Sequence, residues 1–355
     1  MQRWLDHEAR EARLVVAVAG SSQRTMQGLV LASDAPLFGR AKEVLEVGPI
    51  DPAYLREALG AEPGADLVER YAAWGGVPRY WELAAEAPAE TATTVERLVL
   101  DPLGPLHREP DSLLMEEIPS AVETRPVLDA IGAGAHRVSE IAGRLGRPAT
   151  SMARPLERLL GMGLVIREIP FGEEEKRSRR SLYKIGEPFF RLWFQVVAPN
   201  RGRLASSTRE GRLMVLDRVW SNLLAQAWED VCRSQLPRLP VGTALGDFGP
   251  WGPASRWWRG EAPEWDLVSE SLDGDRLLLG EAKWSGRPFG QRDVDRACRQ
   301  LAAKPAPPLP KRYQGLREVR ALFVPDLAQG TRHESEGALV VSASELLPLP
   351  QTTTP

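Results

Sequence analysis

Histidine and cysteine are scarce in this chain. Among 355 residues there are four histidines (His7, His107, His136, His333) and two cysteines (Cys232, Cys298). The cysteines form no C-x-x-C pair, which excludes a zinc ribbon and suits a reducing compartment. The scattered histidines argue against a histidine-based metal site or catalytic triad. A long apolar run and a signal peptide are also missing: no stretch approaches the ~18 apolar residues of a membrane span. These absences predict a cytoplasmic protein with no membrane partner. A formal net charge of −3 excludes a uniformly basic coat for nucleic acid, so any such surface must be local. Finally, no G-x-x-x-x-G-K-[ST] occurs, so nothing here is expected to cradle a triphosphate, and this chain alone is not expected to bind ATP. What is present, 43% hydrophobic and 26% charged residues, describes a soluble globular chain with room for two or three domains.

The most informative stretch runs from Glu264 to Trp284, EWDLVSESLDGDRLLLGEAKW. Two apolar-rich runs flank Asp273-Gly274, the strongest short hairpin signal. With Asp273 and Gly274 as a two-residue loop, Leu272 pairs with Asp275, Asp266 falls opposite Glu281, and Glu264 falls opposite Lys283. All four share one face, while Trp265, Leu267, Leu278 and Ala282 take the other. Like charges directly opposed on a ladder are destabilising. Asp266 against Glu281 is therefore a costly choice unless a cation lies between them, and Mg²⁺ is commonly held by one or two carboxylates with waters and phosphate oxygens. Lys283 would point at the same place, able to orient or deprotonate a water or to stabilise charge on a phosphate. The rival reading is a solvated hairpin with a Glu264–Lys283 surface pair worth little.

Asp266 followed by Glu281-Ala282-Lys283 resembles the metal site of the restriction-endonuclease-like nuclease superfamily, although Trp265 stands where the family usually has proline. The resemblance implies Mg²⁺ or Mn²⁺ on Asp266 and Glu281 and a catalytic role for Lys283. It also gives Glu229, on a helix predicted from about Met214 to Leu236, the place of the acidic residue on the first core helix. Beyond the hairpin, a helix at Gln291–Ala303 carries Arg292, Arg296 and Arg299. Strands are expected at Glu318–Val324 and Gly337–Ser342.

In the first hundred residues a helix is predicted over 2–12. A buried strand is expected at Leu14–Ala19, ending in Gly20-Ser21-Ser22, with a helix to about Leu31 capped by Ser22. Ala35-Pro36-Leu37-Phe38-Gly39-Arg40 leads to a second strand at Glu43–Val47. Helices follow at Pro52–Leu59, Ala65–Trp74 and Pro78–Leu83, with Gly75-Gly76 as a break. This order resembles the end of an archaeal-type AAA ATPase module, in which Ser21, Ser22 and Arg40 match positions that face the γ-phosphate.

Between them lies a helix-turn-helix pattern: Arg125–Ile131, Val138–Leu145 and Ala149–Met162, then strands at Leu164–Ile169 and Ser181–Ile185. It resembles a winged helix, whose third helix enters the major groove in DNA-binding versions. Arg147, Thr150, Ser151, Arg154 and Arg158 would contact DNA there. Lys176, Arg177, Arg179 and Arg180 would contact phosphates from the wing. Pro155 kinks the third helix unless it falls in the first turn. The segment PFFRLWFQVVAPN (188–200) resembles a D-P-F-F-R-F-W-F segment of the same ATPase family, and its aromatics are expected to pack rather than stack on bases.

The expected architecture is α/β and multidomain: a partial AAA module with helical lid (1–120), a winged helix (121–187), a linker helix (188–210), and a restriction-endonuclease-like domain with a mixed sheet (211–350). The expected function is a DNA-associated, metal-dependent nuclease. The alternatives are a non-catalytic DNA-binding or protein-docking regulator, or an ATPase half completed in trans by a separate subunit or a homo-oligomer.

Overall fold

The computed structural model describes residues 15–20, 26–45, 47–60, 63–87, 90–117, 121–175, 178 and 180–347. The helix predicted over 2–12, and Ser21 and Ser22, lie outside these residues. The chain forms two compact units, 1–48 with 108–123, and 49–107 with 124–355.

In the first unit the helical pieces are Gln27–Leu31 and Glu109–Glu117. The two predicted strands are not formed: the described residues of 14–19 and 43–47 are in no strand, and Val15, Val44, Leu45 and Val47 are exposed. An apolar run becomes a buried parallel strand only where neighbours cover both its faces, and the described residues supply none.

The second unit begins with the short helix Leu55–Leu59, then α1 (Ala65–Trp74), α2 (Pro78–Ala85) and α3 (Thr91–Val95). Asp326, beyond the sixth strand, accepts the Ala65 N–H at 2.8 Å and so fixes where α1 starts. The Gly-Gly break is real: Gly75 has φ +58, and a Cβ there would lie 1.4 Å from Glu187 Oε1. Next come α4 (Ala121–Gly132), α5 (Val138–Arg144), α6 (Ala153–Gly161, preceded by a 3₁₀ turn at Ala149–Met152), and the antiparallel pair β1 (Val165–Glu168) and β2 (Leu182–Ile185). Pro155 is the third residue of α6, within the first turn where no intrahelical N–H is needed, so the kink is avoided.

The aromatic segment forms α7 (Pro188–Leu192), a π turn (Trp193–Val197) and α8 (Ala198–Ser206). Phe189, Phe190, Leu192, Trp193 and Phe194 are all buried, which makes them packing residues as expected. The 27-residue α9 (Arg209–Gln235) follows. The sheet then unrolls as β3 (Ser255–Arg259), β4 (Ala262–Glu270), β5 (Arg276–Ala282), α10 (Gln291–Ala303), β6 (Arg317–Val324), β7 (Glu334–Ser335) and β8 (Ala338–Ser342). Its six strands are ordered β3-β4-β5-β6-β8-β7. The β5–β6 and β6–β8 pairs are parallel and the others antiparallel, so the sheet is mixed. Val294, Cys298 and Leu301 of α10 pack on Val268, Leu277, Leu279, Leu322 and Val340, while Arg292, Arg296 and Arg299 face outward. On the sheet, Trp228 of α9 donates to the Phe323 carbonyl at 3.2 Å.

Candidate active site

The site is set by the register of β4 and β5. Leu267 pairs with Gly280, Val268 with Leu279, Ser269 with Leu278 and Glu270 with Leu277. Each pair sums to 547, as do Asp266 and Glu281. The corner differs from expectation: Ser271 N–H donates to the Arg276 carbonyl (3.0 Å), and Gly274 N–H to Ser271 O (2.9 Å). The loop is therefore the four residues Leu272 to Asp275. It is concentric with the predicted two-residue loop, so the register is unchanged.

The ladder ends at Leu267–Gly280, and there the Asp266 carboxylate takes over the backbone partner, Oδ2 accepting the Ala282 N–H at 3.0 Å. Between Trp257↔Trp265 and Ser255↔Val268 the β3 strand advances two residues while β4 advances three. One extra residue in β4 breaks the alternation just where Asp266 sits. Trp265 consequently joins Val268 and Leu279 in the cluster under α10 instead of the opposite face.

Glu281 is buried and lies between two lysines. Lys283 Nζ donates to Oε2 at 3.1 Å, and Lys304, the C-cap of α10, donates to Oε1 and to the Glu264 carbonyl. Lys304 Nζ also stands 4.5 Å above the Trp265 ring. Glu264 does not meet Lys283: its side chain pairs with Arg256 of β3 at 3.0 Å, because the strands part beyond Leu267. Glu229 reaches the site through Arg233 one helical turn on, whose Nη1 bonds Glu229 Oε2 (3.3 Å) and the Asp266 carbonyl (3.1 Å). Burial, then Glu281 and Glu229, push the Asp266 carboxyl up to about 6, against the Ala282 N–H and Lys283. Asp266, Glu281, Glu229 and Lys283 are thus neighbours.

Lys304 and Arg233 were missed. Arg233 stands four residues from a predicted site residue, but Lys304 is 23 positions past Glu281 with no local signal. Among the described residues no three His, Cys, Asp or Glu side chains are placed to hold a metal ion. An ion would rest on the Asp266–Glu281 pair, with water or substrate oxygens completing it. That donor set fits Mg²⁺ or Mn²⁺; burial is the main cause of the raised Asp266 carboxyl, and an ion there would offset the smaller contributions of Glu281 and Glu229.

On α6 and the turn before it, Arg147, Thr150, Ser151, Arg154 and Arg158 are exposed along one surface. Ser151 Oγ donates to the Pro148 carbonyl at 2.7 Å. In the loop between β1 and β2, Lys176, Arg177 and Arg179 lie outside the described residues. Arg180 pairs with Glu173 at 2.8 Å, which takes up one of the loop's bases. The start of the β1–β2 loop is anchored on the sheet, with Phe171 N–H donating to the Arg256 carbonyl at 2.8 Å. A groove of about 730 Å³ opens elsewhere, lined by Asp295, Arg299, Arg332 and His333 among others, and includes none of these site residues.

Residues 193–296 match a protein family, DUF234, described as archaeal and bacterial proteins of unknown function. The matched segment holds Glu229, Asp266, Glu281 and Lys283 and stops short of Lys304. An uncharacterised protein of Methanocaldococcus jannaschii is 28% identical over 305 residues, 85% of this chain and 66% of that protein. The chain thus spans just under two thirds of that relative's length. No solved structure matches.

Proposed function

We propose that this chain is a DNA-associated protein in which a winged helix presents duplex to a divalent-metal-dependent nuclease site. On this reading residues 49–107 correspond to the lid of an archaeal-type AAA ATPase module. Three helices and a hairpin over 121–187 are the winged helix, and the mixed sheet with α9 and α10 is a restriction-endonuclease-like domain. The observation that supports it is the end of the β4–β5 ladder at Leu267–Gly280, just beyond which the Asp266 carboxylate accepts the Ala282 N–H and Lys283 donates to the Glu281 carboxylate.

A bound Mg²⁺ or Mn²⁺ would supply charge neutralisation and a more acidic water. Asp266 and Glu281 would hold it. Lys283, tethered to Glu281 Oε2 and with a half-exposed side chain, would donate to a phosphate oxygen or orient the attacking water. Glu229 adds negative charge beside Asp266 and so favours a cation there. The exposed arginines of α6 would grip phosphates and enter the groove.

A second reading is favoured by Lys304. Its ammonium already compensates Glu281, which suits a non-catalytic DNA-binding or docking regulator. Supercoiled plasmid incubated with the purified chain and Mn²⁺ distinguishes the two. Wild type should nick or linearise it, while Lys283→Ala and Asp266→Asn should reduce the rate at least ~100-fold, as for loss of a group that acts in the transition state. Cleavage that survives Lys283→Ala, or no cleavage by wild type, gives the answer to the regulator.

A further inference from the structure

We propose that Lys304 is an internal counter-ion that competes with a divalent cation for Glu281, so that binding of the cation is coupled to release of the Lys304 side chain. The inference rests on the metal reading of the Asp266–Glu281 pair. Both oxygens of Glu281 are engaged by ammonium groups, Oε2 by Lys283 and Oε1 by Lys304. A cation that uses Glu281 must displace one of them or share its oxygen.

The two lysines are held differently. Lys283 is 46% exposed and its amine has no other hydrogen-bond acceptor among those described, whereas Lys304 is 17% exposed. The Lys304 stem runs along Trp265, and its amine is shared between Glu281 and the Glu264 carbonyl. Lys283 can swing to solvent and back, whereas Lys304 is the counter-ion fixed on Oε1, so a cation that takes Oε1 must displace it. Lys304 compensates Glu281, whereas the Asp266 carboxylate is met by a neutral donor, the Ala282 N–H at 3.0 Å, and the nearby Glu229 is paired with Arg233. A divalent ion between Asp266 and Glu281 would compensate both, which is what lets it displace a single positive charge. The stem of Lys304 follows directly on the end of α10, whose last residue is Ala303, so releasing the amine requires rotation of one side chain and no unwinding of the helix.

The test is Mn²⁺ binding followed by the electron paramagnetic resonance signal of free Mn²⁺, on the full chain without DNA. Lys304→Met keeps an unbranched apolar stem over Trp265 and removes the competitor, so its dissociation constant for Mn²⁺ should fall about tenfold or more below wild type. Lys304→Arg retains a cation and should stay near wild type. Lys311→Met, which changes net charge equally at an exposed position, should also leave it unchanged. If Lys304→Met does not fold, Lys304→Gln replaces it. Binding by Lys304→Met equal to or weaker than wild type overturns the inference while leaving the metal reading intact, and so does equal tightening by Lys311→Met. Absence of Mn²⁺ binding in wild type and Lys304→Met alike overturns both.

Discussion

Glu187 shows how one side chain can join two distant turns. Its Oε2 accepts the Phe190 N–H at 2.9 Å, capping α7, and its Oε1 accepts the Gly76 N–H at 3.3 Å across the Gly-Gly break. Burial pushes its carboxyl from 4.5 up to about 7, in spite of those backbone donors. The folded state therefore prefers the protonated form relative to the unfolded chain. The resulting stability is complete below pH ~4.5 and is lost as pH rises to ~7, a change of order 3 kcal/mol. Glu187→Gln removes this titration, so its urea midpoint should fall less than that of wild type between pH 5 and pH 8. Equal shifts in both proteins would refute the burial account. Gly75 is constrained by the same carboxylate: with φ +58 and no room for a Cβ, Gly75→Ala should cost about 1–3 kcal/mol in a thermal melt.

For single elements, what was legible in the sequence depended on periodicity. The Asp273-Gly274 turn signal gave the β4–β5 register, and because a four-residue corner is concentric with a two-residue one, misjudging its length left the register unchanged. Had the corner held three residues, Asp266 would have left Glu281. The extra residue in β4 had no such signature, since a bulge depends on the neighbouring strand, and it moved Trp265 to the other face. Lys304 reaches the site only through the path of the chain after α10. The described residues of the runs 14–19 and 43–47 are in no strand because a short apolar run does not specify its partners. On α6 the structure buries Leu156 and Leu159 and leaves the named arginines exposed. If that face meets duplex phosphates, Arg154→Ala should weaken DNA binding similarly for all sequences. It should also lower the slope of log affinity against log salt by about 1. An unchanged slope would take Arg154 off the DNA.

Across the larger unit, α9 is the spine to which the other parts are fastened, largely by buried charge. Near its start Arg212 bonds Glu96 (2.6 Å) and Asp101 (2.9 Å) after α3. Near its end Asp230 receives Arg191 of α7 at 2.5 Å and Arg233 at 2.6 Å. Burial alone would raise the Asp230 carboxyl, but Arg191, Arg233 and Lys184 hold it at about 2. Arg233 continues to Glu168 of β1 at 4.0 Å, and Glu168 is also paired with Lys184 of β2 (2.8 Å) and Arg256 of β3 (3.5 Å). The helix-and-hairpin segment, the aromatic helix and the sheet thus share one set of charges instead of each neutralising its own. A partner removed from such a set leaves its neighbours buried and uncompensated, which costs about 3–5 kcal/mol. Arg233→Met should destabilise the unit by that amount. Because Glu168, Asp230 and Asp266 all contact this residue, the loss should be felt on both sides of α9. Hydrogen exchange measured on β1–β2 and on β5–β6 should report the same fall in opening free energy. A fall confined to β5–β6 would mean that the hairpin and the sheet unfold independently and that the charges joining them contribute little to cooperativity.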